Sequence, residues 1–138
     1  MATHFKAAPS KFTSDINDFL TRYRLPNPQL FTPLPEDQLK IRIEHMYEEM
    51  RELVDSAQKK DWPEVLDALV DVSYIAIGTA LMCGANFDEA WRRVHEANMA
   101  KIRASRDNLG KRETEFDVIK PKDWRPADLT DLVGEHHG

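Results

Sequence analysis

The segment 63–83 constrains the fold more than any other part of this sequence. When the segment is drawn as an α-helix, at about 100° per residue, its apolar side chains cover almost the whole circumference. They are Val65, Leu66, Leu69, Val70, Val72, Ile75 and Ile77. Such a helix belongs at the centre of a bundle. It also carries Asp67 and Asp71, which interrupt the apolar run, so we expect no membrane span.

A second long helix, over about 35–60, is predicted to pack on this central one. Its core stripe consists of Leu39, Ile43, Met46, Met50, Leu53, Val54 and Ala57. Glu49 and Glu52 lie one turn apart on the shoulder of that stripe, whereas Glu48 points towards solvent. In the central helix, one narrow face carries Glu64, Asp67 and Asp71 and continues as Tyr74, Ile75, Gly78 and Met82.

Carboxylates on faces that should be buried need compensation. Ionised carboxylates are costly to bury unless they are paired or bound to metal. Hard oxygen ligands favour Mg²⁺, with Mn²⁺ as a substitute. The alternative is a solvated acidic face with surface ion pairs, which we favour for Glu44, Glu48 and Asp55.

The remaining elements follow from local signals. Ser14-Asp15 is predicted to cap a short helix that runs to about Arg24, and four prolines between 26 and 35 indicate an extended strap. Asp61 and Asn86 are candidate caps, and Gly84 is a candidate stop. The last long helix should cover about 87–104, with Asn98 on its apolar face and Lys101 one turn later. The tail should be ordered, with a short helix near 127–133.

These elements predict an all-α fold in a single domain, residues 1–138. Three long helices form its core over about 36–104, between an N-terminal strap, 1–35, and a C-terminal strap, 105–138. Three helices cannot cover an apolar central helix on every side, so we expect a second copy of the chain to complete a four-helix core.

Composition limits the functional classes. The net charge of −5 argues against a general nucleic-acid binder. A single cysteine, Cys83, excludes an internal disulfide and fits a reducing compartment, and the N-terminus lacks a long apolar run. We therefore expect a cytoplasmic protein.

Positive charge is concentrated towards the C-terminus. Ten of the 19 Lys and Arg residues lie between Arg92 and Arg125. A basic region beside an acidic metal site suits a polyphosphate that carries divalent cations. The alternative is that these residues balance surface charge, which we favour for each of them except Lys101.

Several motifs together resemble the all-α nucleoside triphosphate pyrophosphohydrolases, which include MazG, dimeric dUTPases and phosphoribosyl-ATP pyrophosphohydrolase. The motifs are Glu48-Glu49-x-x-Glu52, Asp67-x-x-x-Asp71-Val-Ser-Tyr74, Gly78-Thr79-Ala80 and Asn98-x-x-Lys101. The tail, with Gly110-Lys111 and Lys120-Pro121, is similar to the phosphoribosyl-ATP pyrophosphohydrolase branch. The resemblance covers roughly residues 36–130.

One motif departs from the family pattern, which has Glu-x-x-Asp in the central helix. Asp71 fills the Asp position, but Ala68 stands at the Glu position. Asp67 lies on the same face and is our substitute, whereas Glu64-x-x-Asp67 spells the motif one turn too early. We therefore assign metal binding to Asp67 and Asp71, with Glu64 in reserve.

The resemblance implies hydrolysis of a nucleoside triphosphate to its monophosphate and pyrophosphate, for nucleotide-pool control. It implies two or more Mg²⁺ ions held by Glu49, Glu52, Asp67 and Asp71, and an attacking water oriented or deprotonated by Glu48 or Glu49. The candidate substrate-binding residues are Asn98, Lys101, Tyr74, Lys111 and Lys120. It also implies a homodimer or homotetramer.

Two alternatives remain open at this point. One is hydrolysis of phosphoribosyl-ATP in histidine synthesis. The other is a non-catalytic helical module that binds nucleotides or partner helices. The sequence does not give the base or sugar preference of the nucleotide.

Overall fold

The fold is all-α, as the sequence predicts. A computed structural model describes residues 8–134; the ends of the two predicted straps, 1–7 and 135–138, lie outside the described residues. The helices are α1 (Lys11–Arg22), α2 (Glu36–Gln58), α3 (Trp62–Met82) and α4 (Phe87–Met99). Two short strands, β1 (Ile102–Arg103) and β2 (Val118–Ile119), pair antiparallel, and a 3₁₀ helix covers Thr130–Val133.

Capping residues set the starts of the helices. Asp61 and Asn86 cap α3 and α4 as predicted, since their side chains accept hydrogen bonds from the backbone N–H groups three residues later. The predicted start of α1 at Ser14-Asp15 is wrong. Ser10 is the cap, and its hydroxyl oxygen accepts from the N–H of Thr13, so the helix begins one turn earlier.

The proline-containing connector lies against the end of α3. Gly84 follows that helix with φ of +70°, and a Cβ there would come within 2.4 Å of the Leu30 carbonyl oxygen. The N–H of Thr32 donates to the Cys83 carbonyl at 2.7 Å. The connector is therefore a strap held on the domain, as predicted.

The buried core lies between α1, the connector and the second half of α3. It consists of Ile16, Leu20, Leu34, Leu81 and Met82. The predicted core stripe on α2 is not buried, because no residue of α2 is buried in this chain and Val54, for example, is 54% exposed. The central helix is likewise open on one side, where Leu66 is 64% exposed.

The prediction that α4 continues to residue 104 is wrong. The helix ends at Met99, and the following residues pair with the tail, Ile102 opposite Ile119 and Arg103 opposite Val118. The N–H of Lys101 still donates to the carbonyl of Asn98 at 3.1 Å. Lys101 therefore stands at the turn between α4 and β1, not on the helix.

The C-terminal strap is tied back to α4. The guanidinium of Arg93 donates to the Asp131 carboxylate and, at 3.0 Å, to the Asp128 carbonyl. The indole N–H of Trp124 donates to the carbonyl of Ala97 at 2.7 Å. The strap is ordered, as predicted, and its predicted helix is reduced to one 3₁₀ turn.

By length and composition, α3 is apolar enough to cross a membrane, contrary to the sequence expectation. It is the one helix within residues 8–134 that meets this criterion. Both α2 and α1 pack on it, and 28% of its apolar window is buried within the described residues.

A partly buried arginine, Arg42, holds α2 against α3. The Arg42 Nε–H donates to Thr79 Oγ1 at 3.0 Å, and Nη2 donates to the Ile75 carbonyl at 3.2 Å. Burial lowers the pKa of Arg42, and within residues 8–134 it forms no ion pair. Gly78 leaves room for it, since a Cβ there would lie 3.0 Å from Nη2. These contacts set the register in which the two helices meet.

We predict that Arg42→Met lowers the free energy of unfolding by about 2 kcal/mol, because two hydrogen bonds from a charged donor are lost while the carbonyl stays buried. Chemical denaturation followed by circular dichroism measures this. Lys40→Met, at an exposed position of the same helix, is the matched control. Equal losses in the two variants would contradict the assigned role of Arg42.

Candidate functional site

Four carboxyl groups meet where α2 packs along α3. Glu49 and Glu52 come from α2, and Asp67 and Asp71 come from α3. The helices run antiparallel, since Arg42 contacts Thr79 at one level while Glu49 interacts with Asp71 nearer the connecting turn. We call these four residues the acidic cluster. The sequence predicted this meeting of the two helices.

Glu49 is the most constrained member of the acidic cluster. Its side chain is only 14% exposed, and its Oε1 lies 3.8 Å from Nε2 of His45, one turn earlier on α2. Its Oε2 is buried and has no hydrogen-bond partner among residues 8–134. An acceptor left in this way is unfavourable, and such an atom in a native site calls for a ligand or a proton.

The pKa values of Glu49 and Asp71 are both raised. The pKa of Glu49 is raised by burial first, then by Glu52, with smaller contributions from Asp71 and Asp67. Burial also raises the pKa of Asp71, followed by Asp67 and then Glu52, while His45 partly offsets this. The causes are desolvation and like charge, which both disfavour the ionised form.

The neighbouring acids differ in whether they act on Glu49 and Asp71. Asp67, although exposed, helps to raise the pKa of Asp71 and, to a smaller extent, that of Glu49. Ala68, at the position where the family pattern has Glu, is buried with 2% exposure. Glu48 and Glu64 are exposed and are not among the groups that shift the pKa of Glu49 or Asp71. Neither is brought into the acidic cluster.

The donor set of the acidic cluster suits a hard divalent cation. Its members supply only carboxylate oxygens, which Mg²⁺ and Mn²⁺ prefer, and the unpartnered Glu49 Oε2 is an available ligand atom. Within residues 8–134, no three His, Cys, Asp or Glu side chains are already drawn together closely enough to hold a metal ion.

A cavity is present in the same chain, and none of the four acids of the acidic cluster lines it. Its volume is about 760 Å³, and it lies between α1, α3 and α4. Tyr74 lines it together with Phe12, Ile77 and Trp91. The ring of Tyr74 also meets Phe19 edge-on at 5.4 Å, and burial raises the pKa of its hydroxyl. A cavity of this size and character is suited to a small molecule with an aromatic group.

The predicted cationic residues lie apart from the acidic cluster. The ammonium groups of Lys101 and Lys120 both lie over the ring of Trp124, at 5.3 and 4.9 Å from its centroid. Asn98 and Lys111 are exposed. In the part of the chain that the structure describes, no contact joins these four residues to the acids.

Three residues of interest were not assigned a role from the sequence. His45 and Arg42 extend the line of Glu49 and Glu52 along α2 at spacings of three and four, and that spacing could have identified them. The third residue is Trp124. Its contacts depend on chain pairing far apart in sequence, which no local signal reveals.

We predict that the metal-free protein becomes more stable as the pH falls from about 7.5 to about 5, because groups with raised folded-state pKa bind more protons when folded than when unfolded. Melting temperatures measured with a chelator present test this. Glu49→Gln should flatten the dependence and Glu44→Gln should not. A stability that instead falls over this range, or the same slope in Glu49→Gln, would contradict the raised pKa values. The melting temperatures are compared only above about pH 5. Below that pH, Glu89 lowers the stability as the pH falls, because Arg92 and Arg93 lower its pKa to about 2.

Comparison with known proteins agrees with this arrangement. The family model for phosphoribosyl-ATP pyrophosphohydrolase matches residues 15–98, which is more than half of the 138 residues. The match begins within α1, includes the whole acidic cluster and ends at Asn98, before the C-terminal strap. No curated protein matches the chain significantly. The chain therefore belongs to the phosphoribosyl-ATP pyrophosphohydrolase family, within the MazG-like all-α nucleoside triphosphate pyrophosphohydrolase superfamily.

Proposed function

We propose that this protein is a Mg²⁺-dependent pyrophosphohydrolase that converts a nucleoside triphosphate, ribo or deoxy, to its monophosphate and pyrophosphate. The family supports hydrolysis of a phosphoric anhydride in a nucleotide. The observation that carries the proposal is Glu49, which is almost buried among three other carboxyl groups with one oxygen unpartnered. Such an arrangement is unfavourable unless a cation joins it.

Glu49, Glu52, Asp67 and Asp71 would hold the Mg²⁺ ions, or Mn²⁺ in their place. When bound, Mg²⁺ offsets the negative charge of the phosphates and favours loss of a proton from the attacking water. His45, 3.8 Å from Glu49, keeps that carboxylate oriented by approaching its Oε1. Glu49 is our candidate for orienting the water, because Glu48 lies outside the acidic cluster.

The nucleoside would occupy the cavity between α1, α3 and α4. Tyr74 and Asp71 are one turn apart on α3, so phosphates bound at the acidic cluster would leave the base within reach of the cavity. The aromatic rings of Tyr74 and Trp91 offer surfaces on which a base can stack. The four acids lie on α2 and α3, and the two aromatic residues lie on α3 and α4.

Phosphoribosyl-ATP is the second candidate substrate, and the family match favours it directly. The bond cleaved is of the same class, so the acidic cluster serves either substrate equally. The two differ in what the cavity must accept, because phosphoribosyl-ATP carries a second ribose phosphate on the base. The non-catalytic module is the third possibility, and it would show no turnover of either compound.

A homodimer or homotetramer is part of the proposal. Apolar side chains are exposed in a row along α2, Ile43, Tyr47, Met50 and Val54, and on α3 at Leu66, Leu69 and Val70. Contiguous exposed apolar surface of this kind marks an interface with another chain. A second copy would also supply cations to a site that lacks them within one chain. A stable 16.0 kDa particle in light scattering would contradict this.

We predict that Glu49→Gln lowers kcat for pyrophosphate release by about 100-fold or more, because it removes both a metal ligand and the group that orients water. The assay follows pyrophosphate release with Mg²⁺ over a panel of nucleoside triphosphates, deoxynucleoside triphosphates and phosphoribosyl-ATP. Glu44→Gln, an exposed acid on the same helix, should retain activity. No turnover of any compound by the parent protein would leave only the non-catalytic module.

A further inference from the structure

Two lysines, Lys101 just after α4 and Lys120 on the C-terminal strap, contact the same aromatic ring. The ammonium group of Lys120 lies 4.9 Å from the centroid of the Trp124 ring, and that of Lys101 lies 5.3 Å from it. Their charges therefore lie at most about 10 Å apart. An ammonium group over an indole face is stabilised by the quadrupole of the ring.

The pairing of β1 with β2 makes this arrangement a consequence of the fold. The register joins Ile102 to Ile119 and Arg103 to Val118. One residue beyond the ladder, the same register brings Lys101 opposite Lys120. Like charges directly opposite each other on paired strands are destabilising. This pair of lysines therefore needs a compensating partner.

No acid of the described chain provides that compensation. Neither Lys101 nor Lys120 forms an ion pair within residues 8–134. Asp117 interacts electrostatically with Lys101, but its carboxylate is already held by Arg112 at 2.8 Å. The ring is the shared contact of the two ammonium groups.

Trp124 itself is fixed at two points. Its indole N–H donates to the Ala97 carbonyl of α4 at 2.7 Å, and its backbone N–H donates to the Pro121 carbonyl at 3.0 Å, which closes a turn. That turn begins directly after Lys120. The ring is therefore held between the end of α4, which leads into Lys101, and the turn that follows β2 and Lys120.

We propose that Trp124 is a positioning residue that holds Lys101 and Lys120 together as one binding site for a polyphosphate. This inference rests on the proposed function, which supplies the polyphosphate as the substrate or as product pyrophosphate. Two ammonium groups at a fixed spacing bind adjacent phosphoryl groups at once, whereas free lysines would have to be ordered at each binding event. The site is part of the C-terminal strap, outside the segment that the family model matches.

The experiment measures binding of inorganic pyrophosphate to the full-length chain by calorimetry, and KM and kcat for the best nucleotide of the panel. Trp124→Leu should weaken pyrophosphate binding and raise KM by about fivefold to tenfold, with kcat within about twofold, since an ordered cation pair is lost. Trp124→Phe keeps a ring and should recover part of the affinity. Lys122→Met, an exposed lysine in the same turn, should leave both values unchanged.

A double-mutant comparison separates positioning from a merely structural role. When Lys101 and Lys120 are both replaced by Met, Trp124→Leu should cause no further loss of pyrophosphate affinity, because the ring then has nothing to position. An equal further loss would overturn the proposal. If Trp124→Leu does not fold, Lys120→Met alone must still weaken pyrophosphate binding by a similar factor, and an unchanged affinity would overturn the proposal.

The outcomes also distinguish this inference from the proposed function. Pyrophosphate binding that depends on Trp124 without turnover of any nucleotide would support the lysine pair and overturn the pyrophosphohydrolase proposal. Turnover that depends on Glu49, with pyrophosphate affinity and KM unchanged in Trp124→Leu, would retain the enzyme and overturn the lysine pair.

Discussion

The structure depends on an electrostatic conflict between α2 and α3. The two helices pack closely enough for Glu52 and Asp67 to raise the pKa of Glu49 and Asp71, and burial of these two groups is the largest cause. These acids oppose the contact between the two helices, so they do not determine its packing or register. Arg42 secures the helices further along, where it binds the backbone and hydroxyl oxygens of α3 through two hydrogen bonds. The fold therefore holds an unfavourable cluster of like charges in place, and a bound cation is what we propose to offset it.

The same pair of helices explains why the chain leaves so much apolar surface open. Its own core is small and lies at the other end of α3, against α1 and the connector. The outer face of α2 is exposed, including Tyr47 at 62%. Because the acidic cluster lies on these helices, a second copy that covered their apolar faces would also enclose the site. Stability and chemistry would then both depend on assembly.

Local features could be predicted from the sequence, because their causes are local. Helix ends are set by the side chains of Asp61 and Asn86 and by the backbone freedom of Gly84. Helical spacing alone places the acids on facing surfaces of the two helices, namely Glu49, Glu52 and Asp71. Ser14 and Asp15 were plausible caps for α1, and nothing local distinguishes them from Ser10. The end of α4 was missed because Ile102 pairs with Ile119, far along the chain. An apolar stripe such as that of α2 looks the same whether its partner is in the same chain or in another.

The most direct test of this account is calorimetric titration of Mg²⁺ into the metal-free protein at about pH 7.5, compared with Glu49→Gln and Glu44→Gln. If the repulsion among the four carboxylates is relieved by a divalent ion, the parent protein and Glu44→Gln bind Mg²⁺ with release of protons, and Glu49→Gln binds it at least about tenfold more weakly. Absence of Mg²⁺ binding to the parent protein, or equal binding by Glu49→Gln, would contradict it.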